Sequence, residues 1–254
     1  VAEYGPYDLY ALDDFCRAAE LHDLGTMIKV EQEPRSWIAQ RAIGSGFQSV
    51  LFADLRTVED AKACGAAVRA ETPGRGGRLG VGMRRDVGTV RTGGTPAYVD
   101  TLNEVVIAIM VEKKSCVDDL DRILSVPGID MVQFGASDFS MSIGKTGQYG
   151  HPDVLAAETK TIQMALKKGL HPRVELRDPA QAGRYLEMGV KHFCIGWDVR
   201  ILADWWDTQG AVMRKMLRAK PHKTSAKAAA KPALKAAPKG APKGTNGKAR
   251  GNYA

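Results

Sequence analysis

Glu112 and Asp138 are the two side chains of this 254-residue chain whose type and placement point most directly to chemistry. Glu112 closes the apolar run Val105–Val111, and Asp138 closes the next apolar run through Gly135-Ala136-Ser137. A continuous apolar run of this length is what a parallel strand buried on both faces requires, so its charge belongs at its end. Between them, Val117, Leu120, Ile123 and Leu124 recur at helical spacing, with Asp118, Asp119, Asp121 and Arg122 on the wet side. Pro127-Gly128 stops that helix, and Ile129–Gly135 starts the second strand. The stretch is therefore one strand-helix-strand crossover, with both acids at carboxyl ends and on one face of a parallel sheet. Carboxylates gathered there, with no Cys or His at ligand spacing, suit a hard oxygen-seeking cation such as Mg2+ or Mn2+ rather than zinc. Two carboxylates leave coordination positions for a substrate. The competing reading is that each acid caps a helix or pairs with Lys113, Lys114 or Lys145.

The elements that must position these acids alternate along the chain. Residues 25–30, 49–53, 105–111, 129–134, 171–176 and 192–197 read as strands. Residues 34–43, 57–68, 115–126, 152–168, 179–188 and 201–217 read as helices, with a further helix expected over 8–21. This is the rhythm of an α/β protein of the TIM-type (β/α)8 barrel class. The count is short by about one β/α unit, and the chain starts at Val1, so the first strand, first helix and most of the second strand are expected to be lacking. An open barrel of that kind presents two sheet edges, to be covered by the 8–21 helix or by a neighbouring subunit.

From Gly25 to Leu217 the chain resembles the HpcH/HpaI aldolase family, the class II, metal-dependent pyruvate aldolases related to the citrate lyase beta subunit. The motifs that carry the resemblance are Val111-Glu112-Lys113-Lys114, Ile123-Leu124-Ser125-Val126-Pro127-Gly128-Ile129-Asp130, Gly135-Ala136-Ser137-Asp138-Phe139-Ser140-Met141-Ser142-Ile143-Gly144 and Gly150-His151-Pro152-Asp153-Val154. The resemblance implies that Glu112 and Asp138 ligate a divalent metal, Mg2+ or Mn2+ with Co2+ as a further option. It also implies that backbone amides at Gly135 and Ser137 hold the carboxylate of a 2-oxo acid, that an aldehyde is the second reactant, and that the protein is a homo-oligomer.

Three positions depart from the family pattern. Its Asp-x-Glu-His motif aligns with Val1-Ala2-Glu3-Tyr4, so Tyr4 stands where the base is a His. Its Arg beside the oxo group aligns with Lys29, which supplies charge without a bidentate fork. Met110 replaces a Gln two residues before the first ligand. Tyr4 and Lys29 are the expected substitute acid/base pair, because nearby positive charge favours phenolate; their alternatives are a packed loop aromatic and a surface ion pair with Glu31 or Glu33.

Arg173 and Glu175 share one face of a predicted strand and Asp198 follows the last one, positions where a barrel places functional groups. Arg173, as a substrate contact, and Asp198 are site candidates; the alternative is that Arg173 and Glu175 neutralise one another inside the barrel or at its rim. Residues 73–98, rich in Gly and Arg, read as a long connector in which Arg84 or Arg85 could meet an anionic substrate tail. His151 reads as a helix cap, and no phosphate-binding Gly motif has the right flanks.

The four cysteines form no close pair, which excludes a zinc or thioredoxin motif and a disulfide framework. No apolar run spans a membrane, and a cytoplasmic location is expected. Domain organisation reads as a barrel over 1–217 and a disordered tail over 218–254. The tail holds ten Lys or Arg and no acid, so the formal charge of +7 less these ten leaves −3 for the rest. Its Lys-Ala-Pro composition suits nonspecific contact with polyanions. The function expected is an aldolase forming or cleaving 4-hydroxy-2-oxo acids through a pyruvate enolate. The alternatives are an oxo-acid and metal-binding barrel without turnover, or a citrate-lyase-like CoA ester lyase.

Overall fold

The computed structural model describes residues 5, 8–74, 76–82, 85 and 92–219. Tyr4, Arg84 and the tail beyond 219 lie outside the described residues. The chain divides into two compact units, Val1–Ile201 and Leu202–Ala254.

The first unit is an α/β assembly around one parallel sheet. In chain order its elements are α1 (Leu9–Glu20), β1 (Met27–Val30), α2 (Arg35–Ser45), β2 (Ser49–Phe52), α3 (Val58–Val68), α4 (Pro96–Asn103) and β3 (Val106–Val111). There follow α5 (Lys114–Asp118), α6 (Leu120–Ile123), β4 (Met131–Phe134), α7 (Ala136–Ser142) and α8 (Pro152–Lys167). The last are β5 (His171–Leu176), α9 (Gly183–Glu187) and β6 (His192–Ile195), before α10 (Asp198–Arg218), which passes into the second unit.

All six expected strands form, and they pair in sequence order from β1 to β6. Every pairing is parallel. Six consecutive parallel strands with helices between them form a half-barrel sheet, and among the described residues β1 and β6 end it.

Local signals explain the helices. Asp8 caps α1 by accepting from Ala11 N at 2.7 Å. Thr57 and Asp60 form a reciprocal capping box at the start of α3. His151 caps α8 as expected, its Nδ1 accepting from Asp153 N at 3.2 Å, with Pro152 at the first helical position.

Three boundaries differ from expectation. The helix expected over 115–126 breaks at Asp119, whose backbone leaves the helical region (φ −104°, ψ 26°), giving α5 and α6. The 179–188 segment splits into a 3-10 turn, Pro179–Ala182, and α9. Within the expected connector, Thr95-Pro96 opens α4, and the buried Tyr98 hydroxyl accepts from Gly82 N and donates to the Gly80 carbonyl, both at 3.0 Å.

The core lies on the helix side of the sheet. Ile107, Ile109 and Val111 of β3 pack there with Val50, Phe52 and Leu120. Burying each of these side chains contributes about 1.5–3 kcal/mol. On the opposite face Leu51, Ala108 and Met110 form a small cluster against Met27 and Met131. Side chains alternate along a strand, so the residue that continues the Ala108, Met110 row is Glu112.

Among the described residues no helix is long and apolar enough to cross a membrane.

Candidate active site

Register brings the polar residues of the inner face together. Lys29 lies beside Leu51, Leu51 beside Ala108, Met110 beside Gln133, Gln133 beside Arg173, and Glu175 beside Cys194. These rows line a cavity of about 620 Å³, with Lys29, Met110, Glu112, Gly135, Ser137 and Asp138 at one side. Tyr149, Glu158, Arg173, Glu175, Arg177, Trp197 and Asp198 also line it. A space of this size suits a small metabolite.

Glu112 is 2% exposed at the end of β3. Its Oε1 accepts the backbone N–H of Asp54 at 2.8 Å, tying β3 to the loop after β2. Burial pushes the Glu112 carboxyl above its ordinary range; the Asp54 N–H and the charge of Lys29 pull it back, while Asp138 and Asp54 add to the rise. Asp138 does not end a strand as expected. Gly135 is the N-cap of α7 and Asp138 sits in that helix's first turn, where a carboxylate is favoured by the helix dipole.

Gly135 is held to glycine by space. A Cβ there would stand 2.5 Å from Glu112 Oε2 and 2.7 Å from Glu112 Cβ. Its own N–H donates to the Val111 carbonyl at 3.1 Å. The amide expected from Gly135 is therefore engaged by the sheet, because the strand pairing continues one residue beyond β4. The open amides of this turn are those at the start of α7, which have no intrahelical partner.

Lys113 points into the same cluster. Its ammonium contacts Asp54 Oδ1 at 2.5 Å and Asp138 Oδ1 at 2.8 Å. Burial acts to lower its pKa, but the hydrogen bonds to Asp138 and Asp54 outweigh this and the net shift is upward. The pairing of Asp138 with Lys113, one of the alternatives open from sequence, is thus present.

The donor set fits a divalent metal. Glu112 Oε2 faces the space that Gly135 keeps open, and Asp138 has a second oxygen besides the one on Lys113. Both ligands are hard carboxylate oxygens. Among the described residues no group of three or more His, Cys, Asp or Glu is placed to hold a metal ion.

The residues of 8–204 match the family model described as HpcH/HpaI aldolase/citrate lyase. The chain belongs to that family. A hydroxypyruvate/pyruvate aldolase of Roseobacter denitrificans is 29% identical over 201 residues, 79% of this chain and 77% of the relative. A 4-hydroxy-2-oxo-heptane-1,7-dioate aldolase of Klebsiella pneumoniae is 31% identical over 159 residues, 62% of this chain and 58% of the relative. The crystal structure of an HpcH/HpaI aldolase from Desulfitobacterium hafniense superposes with a TM-score of 0.71 at 25% identity, covering 86% of this chain and 82% of the other.

Against the family pattern, Lys29 and Met110 both stand in the cavity, and Lys29 acts on Glu112 through its charge. Arg173 also lines the cavity, but its guanidinium donates to Gln133 Oε1 rather than pairing with Glu175. Asp198 lines it too, its Oδ1 accepting from Val199 N at 2.8 Å. Arg85 stands elsewhere, paired with Asp13 and Glu20 of α1. It ties the connector to α1 and does not line the cavity.

Asp54 is the site residue that sequence reasoning missed. It follows the apolar run of β2 as Glu112 follows that of β3, and the same strand-end rule would have found it. Tyr149 and Arg177 carry no such signal, since only the folding of loops brings them to the cavity. Cys64 and Cys116 are pushed up to about 12 by burial, which leaves them inert as nucleophiles.

Proposed function

We propose that this protein is a divalent-metal-dependent carbon-carbon lyase that cleaves or forms 4-hydroxy-2-oxo acids through a pyruvate enolate. The observation that carries this reading is the buried Glu112 carboxylate lining, with Asp138, a cavity that also holds Lys29 and Arg173. Named relatives support it, being aldolases of pyruvate, hydroxypyruvate and a 4-hydroxy-2-oxo diacid.

Glu112 and Asp138 are the residues that would hold Mg2+ or Mn2+, or Co2+. When bound, the cation supplies positive charge against the enolate that forms as the aldol bond breaks. The Ser137 amide, at the start of α7, would donate to the substrate carboxylate, and Gly135 keeps the approach to Glu112 clear. Lys29 brings an ammonium to the oxo oxygen. Arg173 orients the distal half of the substrate. Tyr4 is the proposed proton carrier in place of the family His.

The experiment that tests this is Mn2+-dependent deuterium exchange into the methyl group of pyruvate, followed by NMR. Exchange that disappears in Glu112→Ala and Asp138→Ala supports the lyase. A folded, Mn2+-binding protein without exchange favours a second reading, an oxo-acid-binding barrel without turnover. What favours that reading is the joint replacement of His, Arg and Gln by Tyr4, Lys29 and Met110. A CoA ester lyase is separated from both by competition with CoA esters.

The rest of the proposal concerns organisation. The sheet belongs to a (β/α)8 barrel domain over 1–217 that assembles as a homo-oligomer in the cytoplasm. The basic 218–254 segment makes nonspecific contact with polyanions.

A further inference from the structure

Lys113 takes no part in the proposed reaction, yet it lies against one of the two metal ligands. Its side chain is 15% exposed and bridges Asp54 Oδ1 and Asp138 Oδ1, at 2.5 Å and 2.8 Å. Asp54 is itself built into the cluster. Its N–H is fixed on Glu112, and its backbone at φ 60° occupies the left-handed region, which Asp tolerates better than most residues.

We propose that Lys113, anchored by Asp54, is a tethered cation that competes with the divalent metal for Asp138 and thereby sets the metal affinity of the site. This rests on the reading of Glu112 and Asp138 as the metal ligands. The physical reason is that an ammonium and a divalent cation seek the same carboxylate oxygens, and two cations on one carboxylate repel each other. A metal on the second oxygen of Asp138 is therefore opposed by the ammonium on the first, and binds more tightly as the ammonium withdraws. Lysine's four-carbon stem permits this, because its charge is a point on a flexible arm. Asp54 is the position to which it withdraws, being already in contact. Lys113 is a positioning residue that acts through Asp138. The result is a site that loads only when metal is plentiful, and in which Asp54 governs how readily the lysine yields.

The test is Mn2+ affinity, read from the free-ion signal in electron paramagnetic resonance and checked by the metal-induced rise in melting temperature. Lys113→Met is expected to tighten Mn2+ binding at least ten-fold. Asp54→Asn, which leaves Lys113 with Asp138 alone, is expected to weaken it several-fold. Lys114→Met removes an equal charge one residue along, from an exposed lysine paired with Asp118 at 2.6 Å, and is expected to change affinity less than two-fold. If Lys113→Met does not fold, Lys113→Gln removes the charge while keeping an N–H donor and carries the same expectation. Binding that is lost in Glu112→Ala and Asp138→Ala but not tightened by removing Lys113 overturns the competition alone. Equal tightening by Lys114→Met also overturns it, since a general charge effect would then suffice. Absence of Mn2+ binding in every variant overturns both the competition and the metal site.

Discussion

β3 and β6 belong to one sheet and pair in the same parallel manner, yet they are opposite in character. Five of the six β3 residues are buried, and Ile107, Ile109 and Val111 have no exposure at all. None of the four β6 residues is buried. β3 is flanked by strands on both sides, whereas β6 ends the sheet. The buried Glu112 carboxylate follows the most deeply packed of these strands, a setting that holds a side chain to tight geometry. The β5–β6 side presents Arg173, Glu175 and Cys194, polar groups on a looser wall. On the proposed function, the β3 side of the cavity would carry the chemistry and the β5–β6 side would meet the variable half of a substrate.

The strongest way to break that division is to remove the carboxylates. Glu112→Ala or Asp138→Ala is expected to lower pyruvate proton exchange by on the order of 10²–10³-fold, the scale seen when charge stabilisation is deleted from an active site. Exchange retained near the wild-type rate would move the chemistry to the β5–β6 wall.

Stability gives the next contrast. Ile109→Ala is expected to cost about 2–5 kcal/mol, as for other buried large-to-small changes, whereas Phe193→Ala on β6 should cost less than ~1.5 kcal/mol because its site is already partly open to water. Urea unfolding of the two variants measures it, and equal losses would erase the distinction between the strands.

Arg173→Met sharpens the recognition half. A rise in KM of about ten-fold with kcat nearly unchanged is expected, corresponding to ~1.4 kcal/mol of binding shared by ground and transition states. Initial-rate kinetics on a 4-hydroxy-2-oxo acid would show whether kcat falls instead, which would place Arg173 among the reacting groups.

The smallest expected effect concerns the cost of Glu112 itself. Its pKa is raised in the folded protein, so its stabilising contribution is complete below the unfolded value of about 4.3 and is lost as pH rises through the folded value. Glu112→Gln keeps an oxygen for the Asp54 N–H while removing the desolvated charge. Without metal, it should melt ~2–4 °C higher at neutral pH, as expected for about 1 kcal/mol of relief, with the difference vanishing at acid pH. Calorimetry across pH would detect a gain of the opposite sign.

The sheet was legible because its strands are short apolar runs bounded by Gly, Pro and polar residues, and all six appear within a few residues of expectation. Glu112 was legible for the same reason. Asp138 was found as a residue but misplaced as a strand end, since nothing in Gly135-Ala136-Ser137 distinguishes a turn from the start of a seven-residue helix. Lys113 was visible as a partner of the acids, but its bridge to Asp54 depends on a contact across 59 positions of sequence that periodicity cannot report. The partners of Arg85 were not legible, because a basic residue in a Gly-rich connector has no pattern that reveals its contacts on α1.

The hydrogen bond from the Asp54 N–H to Glu112 Oε1 makes one backbone amide a native spectroscopic probe. That proton feels the ionisation and occupancy of Glu112 directly, and it is part of the peptide backbone, so no label need be introduced. In a ¹H–¹⁵N correlation spectrum the Asp54 cross-peak should shift as Glu112 titrates or takes up a cation, while amides at β6 stay in place.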